Sequence, residues 1–157
     1  MTAHSVEHGT FVIERRYDFA PATVFRAFAD PAAKRKWFVE GEGWTIDSYE
    51  ADFRVGGTER SRFRFGDGAP MGNDTVYMDI VADRRIVIAY SMLTGDTPFS
   101  ASLATIEFLA DGAGTKLVYT EQAAFLDGKD QVKDREEGCR WLFEALATHL
   151  DGTAKQK

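Results

Sequence analysis

Tyr119 and Glu121 share a parity with Leu117, so an extended chain over 116–124 points all three to one face. A phenol and a carboxylate side by side on an inward face can move a proton at a bound molecule. The same pair also serves, without catalysis, to satisfy hydrogen bonds in a core. Glu59 and Ser61 form a second polar pair, on the parity of Phe63 and Phe65. If those aromatic rings face inward, period-two alternation takes Glu59 and Ser61 with them. A buried carboxylate then needs a cation, and Arg15, on the apolar parity of the first strand, is the candidate. The alternative is that Glu59 lies at a sheet edge in water.

Other chemistry-bearing patterns carry less. His4-Ser5-Val6-Glu7-His8 has the letters of a zinc-protease motif. That chemistry needs a helix and a third ligand, whereas these residues sit in an N-terminal stretch ending at Gly9, so no metal site is expected. Gly66, Gly68 and Gly72 match neither phosphate-loop spacing and read as a flexible hairpin loop, able to cover a cavity mouth. Arg60, Arg62 and Arg64 alternate with the inward parity and form an outer, solvated stripe. Lys34-Arg35-Lys36 covers the exposed side of a short helix. Cys139 lies on an apolar helical stripe and reads as core filler rather than nucleophile.

Composition narrows the classes. The 157 residues suit one domain large enough to bury a core without staples. A formal charge of −6 argues against nucleic acid or an anionic membrane surface as partner. The single cysteine excludes an internal disulfide, no apolar run reaches membrane-spanning length, and residues 1–10 lack a signal-peptide core. The expected compartment is the cytoplasm. No cofactor motif is present, so no cofactor is expected.

The elements that must position these residues follow from pattern. Residues 1–9 read as a flexible N-terminal tail, 10–152 as a single domain and 153–157 as a C-terminal tail. Phe11 to Phe19 alternates as a strand. Pro21 opens a helix with an apolar face of Val24, Phe25 and Phe28, and Asp30-Pro31 starts a second, short one running to about Trp37. Strands are expected over 44–53, 58–65, 75–81, 85–92, 99–109 and 116–124, with Gly66–Asp74 as loop. Gly56-Gly57 permits a bulge or sharp bend between the first two of these. Asp130 caps a final helix to about Leu150, its stripe formed by Cys139, Leu142, Phe143, Leu146 and Leu150, with Gly152 as the stop. Consecutive strands with short turns make an antiparallel sheet, and the long helix has only that sheet to cover its stripe. The fold class is α+β, ordered β-α-α-β6-α, with a curved sheet wrapped on the C-terminal helix and a hollow between them.

This order, with its local words, resembles the START-like superfamily and its helix-grip fold. More narrowly, it is similar to the family named after the activator of the heat-shock-protein-90 ATPase. The matching pieces are Asp30-Pro31 with Trp37-Phe38, Asp52-Phe53-Arg54-Val55-Gly56-Gly57, the hairpin from Tyr77 to Val87, Thr120-Glu121-Gln122, and Gly138-Cys139-Arg140-Trp141. The resemblance implies a ligand cavity between sheet and long helix, and members that include carriers of hydrophobic ligands and cyclases. The eponymous co-chaperone has a separate N-terminal domain with no counterpart here, so a direct chaperone partner is not expected.

The functional expectation is binding of a small apolar or amphipathic molecule, with aromatic walls and a polar end. Glu59, Ser61, Phe63, Tyr119 and Glu121 are candidate wall residues, joined by Trp37, Trp44, Tyr77, Tyr90, Met92 and Trp141. A cyclase- or hydratase-like enzyme using the same cavity, with Tyr119 and Glu121 as acid and base, is one alternative. A chaperone-partner interaction module, which needs an exposed apolar patch, is another. The sequence leaves a homodimer open.

Overall fold

A computed structural model describes residues 4–155. The chain runs β1 (Val6–Tyr17), α1 (Pro21–Ala29), α2 (Pro31–Lys34), a π-helical turn (Arg35–Val39), β2 (Trp44–Ala51), β3 (Thr58–Phe65), β4 (Met71–Val81), β5 (Arg85–Thr94), β6 (Thr97–Asp111), β7 (Gly114–Leu126) and α3 (Val132–Lys155). All seven strands join one antiparallel sheet in the order β1-β7-β6-β5-β4-β3-β2. Register shifts that leave one extra residue in β2, β4 and β6 mark bulges, which bend strands and help a sheet curl. The α+β helix-grip architecture is therefore present. No helix among the described residues is long and apolar enough to cross a membrane.

Local signals set several boundaries. Pro21 occupies the first turn of α1, and the Asp30 carboxylate accepts from the Ala32 N–H at 3.0 Å to start α2. The Gly56-Gly57 bend is held from both sides. Gly56 adopts a φ of +84°, and a Cβ at Gly57 would fall 2.1 Å from the Asp52 carbonyl oxygen. The Gly56 N–H donates to the Tyr77 carbonyl at 2.8 Å, and the Tyr77 N–H returns to Gly57 at 3.0 Å. The bend thus docks on β4 and fixes where β3 begins relative to Tyr77.

Other boundaries move. Residues 6–9, expected in a tail, pair with 123–126 and extend β1. Backbone pairing along a long neighbour overrides their polar composition. Glu7 and His8 are consequently in a strand, not on a metal-binding helix. Met71–Asp74, expected in a loop, belongs to β4, where the side-chain-free Gly72 lets Arg62 lie across it. Gly152 does not stop α3, because it is not among the glycines with positive φ and the helix continues through it.

The core lies between the sheet's concave face and α1 and α3. Phe25 and Phe28 meet Phe108 edge-on at centroid separations of 5.4 and 5.3 Å, and Phe28 also meets Trp37 at 4.8 Å. Cys139, Phe143, Leu146 and Leu150 bury the α3 stripe. The Tyr17 hydroxyl donates to the Phe143 carbonyl at 2.9 Å and ties α3 to β1.

Candidate functional site

A hollow of about 340 Å³ lies between the sheet's concave face and the N-terminal half of α3. Alternate residues of β3 to β7 supply one side, as period-two geometry requires. The π-helical turn supplies another. Its backbone bond from the Glu40 N–H to the Arg35 carbonyl, at 3.0 Å, spans five residues. Trp37 and Phe38 from this turn, with Lys34 just before it, line the hollow. The Trp37 indole N–H donates to the Ala27 carbonyl at 2.9 Å, fixing that ring.

Eight of the eleven expected site residues line the hollow: Trp37, Trp44, Ser61, Phe63, Tyr90, Met92, Tyr119 and Trp141. Trp141 is 65% exposed and stands at the mouth, near the half-buried Trp44 and Phe63, whose rings meet edge-on at 5.5 Å. Glu59, Tyr77 and Glu121 are buried but are not wall residues; they stand behind the wall. Phe65 leaves the expected inward set. It is 57% exposed at the end of β3, where it packs on Trp44.

Glu59 is 2% exposed, so the water-edge alternative does not hold. Its cation is Lys34, whose Nζ donates to Glu59 Oε1 at 2.9 Å. The expected partner, Arg15, instead pairs with Glu144 on the outer side of α3. Lys34 is not the solvated helix face expected of it. The short α2 ends there, and the π turn sets its ammonium 4.5 Å from the Phe38 ring centroid. Tyr77 also donates its hydroxyl to Glu59 Oε1. Desolvation, then the Glu59 charge and hydrogen bond, push the Tyr77 phenol strongly up. The Tyr49 hydroxyl is buried beside the same carboxylate, whose charge adds to burial in raising its pKa, yet among the described residues it makes no hydrogen bond of good geometry.

A second buried pair flanks the other side of the hollow. Glu121 Oε1 accepts from Tyr119 at 2.6 Å and Tyr90 at 2.8 Å. Its Oε2 accepts from Ser102 at 2.7 Å and Arg135 Nη1 at 2.9 Å. Arg135 Nη2 donates to Ser100 at 2.6 Å and to Asp130 at 3.0 Å. Burial drives both tyrosines far above ordinary phenols, with further contributions from their charged neighbours. The Cys139 thiol lies 3.8 Å from Glu121 Oε1, and desolvation followed by that charge pushes it up to about 12. Tyr119 and Glu121 are therefore both inward, but the carboxylate is saturated by donors and shut off from the hollow. This arrangement orders the wall; Tyr119, which lines the hollow and donates to Glu121, is the member of the pair that reaches a molecule there.

The sequence reading missed Lys34, Asn73 and Arg135 as wall residues. Arg135 carried a usable signal, since 135, 139, 142, 146 and 150 continue one helical stripe. Lys34 lies three and four residues before Trp37 and Phe38, which is helical neighbour spacing. Asn73 had none, because Met71–Asp74 reads as loop. The three outer arginines do form ion pairs on the convex side, Arg60 and Arg62 with Asp74 and Arg64 with Asp47.

The sequence profile of the family described as activator of Hsp90 ATPase homolog 1-like protein matches residues 18–151. No curated protein matches the chain. Among solved structures, the chain is 53% identical to the Mll3558 protein of Rhizobium loti, with a TM-score of 0.86 over 93% of this chain and 99% of that one. It is 44% identical to a Rhizobium leguminosarum protein, with a TM-score of 0.91 over 96% and 99%. An AHSA1-like protein of Aeromonas hydrophila shares the fold at 16% identity, with a TM-score of 0.72 over 93% and 94%. By its profile match, its close structural relatives and its helix-grip topology, the chain belongs to the activator of Hsp90 ATPase homolog 1-like family of the START-like superfamily.

Proposed function

We propose that this protein binds a small apolar or amphipathic molecule in the hollow between the sheet and α3. The observation that carries this reading is the hollow itself: about 340 Å³, walled mainly by aromatic and aliphatic side chains with a few polar groups at its flanks. That size is at the small end of ligand sites, which run from about 300 to 1,000 Å³. Binding would come from burying an apolar body against Trp37, Phe63, Ile88 and Met92, while polar wall groups orient one end.

The chain contains three tryptophans, and Trp37, Trp44 and Trp141 all line the hollow. Their emission is therefore the natural reporter. Titration with the neutral probe N-phenylnaphthylamine is expected to quench it saturably at one probe per chain, with energy transfer to the probe. A linear, non-saturating response would remove the binding reading. An acid–base enzyme is not favoured, since Glu121 stands behind the wall with its oxygens already taken.

A further inference from the structure

The polar groups of the hollow are unequal in kind, and the wall formed by β3, β4 and the end of α2 is rich in donors. Lys34 Nζ carries three N–H groups, and among the described residues only Glu59 accepts one, at 2.9 Å. The Phe38 face attracts the charge but provides no acceptor atom. The Lys34 side chain is 8% exposed and lines the hollow, so its remaining N–H groups are open to whatever occupies that space. Ser61 lies two residues beyond Glu59 on the same face and also lines the hollow. Asn73 sits directly across from Ser61 in the β3–β4 ladder. Its Oδ1 accepts from Thr75 Oγ1 at 2.8 Å, leaving the amide NH₂ without a described protein partner. Three donor groups thus line one wall, and a molecule that displaces water from the hollow has to offer them acceptors.

The charge balance there is already closed. Lys34 offsets Glu59, and the Tyr77 hydroxyl adds a neutral donor to the same carboxylate. A second carboxylate arriving with a ligand would leave one uncompensated negative charge in a desolvated site, which is costly. A neutral group that only accepts fills the donors without disturbing that balance.

Resting on the binding reading above, we propose that this wall seats the carbonyl oxygen of a neutral ligand. The ligand class is an apolar ketone, ester or amide, with hydrogen bonds from Lys34, Ser61 and Asn73 and its apolar body on the aromatic walls.

The test uses three molecules of one shape, acetylnaphthalene, ethylnaphthalene and naphthoate, competing against N-phenylnaphthylamine on the full chain. Lys34→Met strips Glu59 of its counter-charge and reports on folding as much as on binding. The decisive variant is therefore the double change Ser61→Ala with Asn73→Ala, its fold checked by thermal unfolding. Acetylnaphthalene is expected to bind the native protein more tightly than either other compound. The double change is expected to weaken acetylnaphthalene about tenfold more than ethylnaphthalene, the scale of lost hydrogen bonds at a buried site. Equal losses for the two would overturn the carbonyl seat and leave the hollow as a plain apolar site. Tighter binding of naphthoate than of acetylnaphthalene would overturn the charge argument. Failure of every compound and of the probe itself would remove the binding reading along with it.

Discussion

Lys34–Glu59 and Arg135–Glu121 are both buried ion pairs, each with its carboxylate on a strand and its cation on a helical segment, set on opposite flanks of one hollow. Their saturation differs. Glu121 takes bonds from four side chains, and Arg135 spreads its donors over Tyr90, Ser100, Ser102, Glu121 and Asp130. Among the described residues Lys34 has one acceptor, and the buried Tyr49 hydroxyl beside Glu59 makes no hydrogen bond of good geometry. A fully satisfied buried network rigidifies the structure around it, whereas a partly satisfied one leaves hydrogen-bonding capacity unspent. The Arg135 side locks α3 onto β5, β6 and β7. The Lys34 side keeps donors in hand beside the hollow.

The largest expected effect separates the two pairs directly. Arg135→Met leaves Glu121 buried without its cation and should cost about 3–5 kcal/mol, the usual range for breaking such a pair. Lys34→Met should fall at or below the lower end of that range, because fewer bonds are lost. Denaturant midpoints of the two variants check this, and equal losses would erase the contrast.

Hydroxyl deletions sharpen it next. Tyr119→Phe removes a donor from Glu121 at a fully buried site and should cost about 1–3 kcal/mol. Tyr49→Phe removes a hydroxyl that makes no hydrogen bond of good geometry among the described residues, so stability should hold or rise by up to about 1 kcal/mol. A clear loss in Tyr49→Phe would mean that this hydroxyl is satisfied after all.

Alkaline pH probes the saturated side through Cys139. Its thiol sits near 12 in the fold, against 9.0 for an ordinary thiol, mainly because burial penalises the thiolate. The folded protein keeps this proton in a window where the unfolded chain has lost it. This contribution to stability is intact below about 9 and declines as pH rises toward about 12. A thiol reagent at mildly alkaline pH should therefore modify the native protein far more slowly than the unfolded one. Rapid native labelling would show the site to be open.

The smallest effect belongs to the mouth. Trp141→Ala should change stability by no more than about 0.5 kcal/mol, because the ring is mostly exposed. It should still weaken energy transfer to a probe in the hollow. A large loss of stability would mean that Trp141 closes the core rather than edging the entrance.

Much of the fold was legible in the chain, and the reasons are local. Pro21, Asp30-Pro31 and Gly56-Gly57 act through their own backbone constraints, so their meaning survives without neighbours. Alternation put Glu59 and Ser61 on one face of β3 and Tyr119 and Glu121 on one face of β7, but left open whether Glu59 met the interior or water. Parity could not separate a wall residue from one standing behind it. Glu59, Tyr77 and Glu121 share the inward face with Ser61 and Tyr90, yet only the latter two reach the hollow. Depth depends on what the opposite layer supplies, and that layer is remote in sequence: Lys34 is 25 residues from Glu59, and Arg135 is 14 from Glu121.

The sequence by itself determined the antiparallel pairing of consecutive strands, the long covering helix, and which side chains of each strand share a face. Those outcomes follow from periodicity and from glycine and proline stereochemistry, which act over a few residues. The tertiary structure decided which cation meets which carboxylate. It paired Glu59 with Lys34 and sent Arg15 to Glu144, because a π turn after α2 carried Lys34 inward while α3 placed Glu144 over the outer end of β1. Ion pairing is a matter of distance in space, and no period in the chain encodes it.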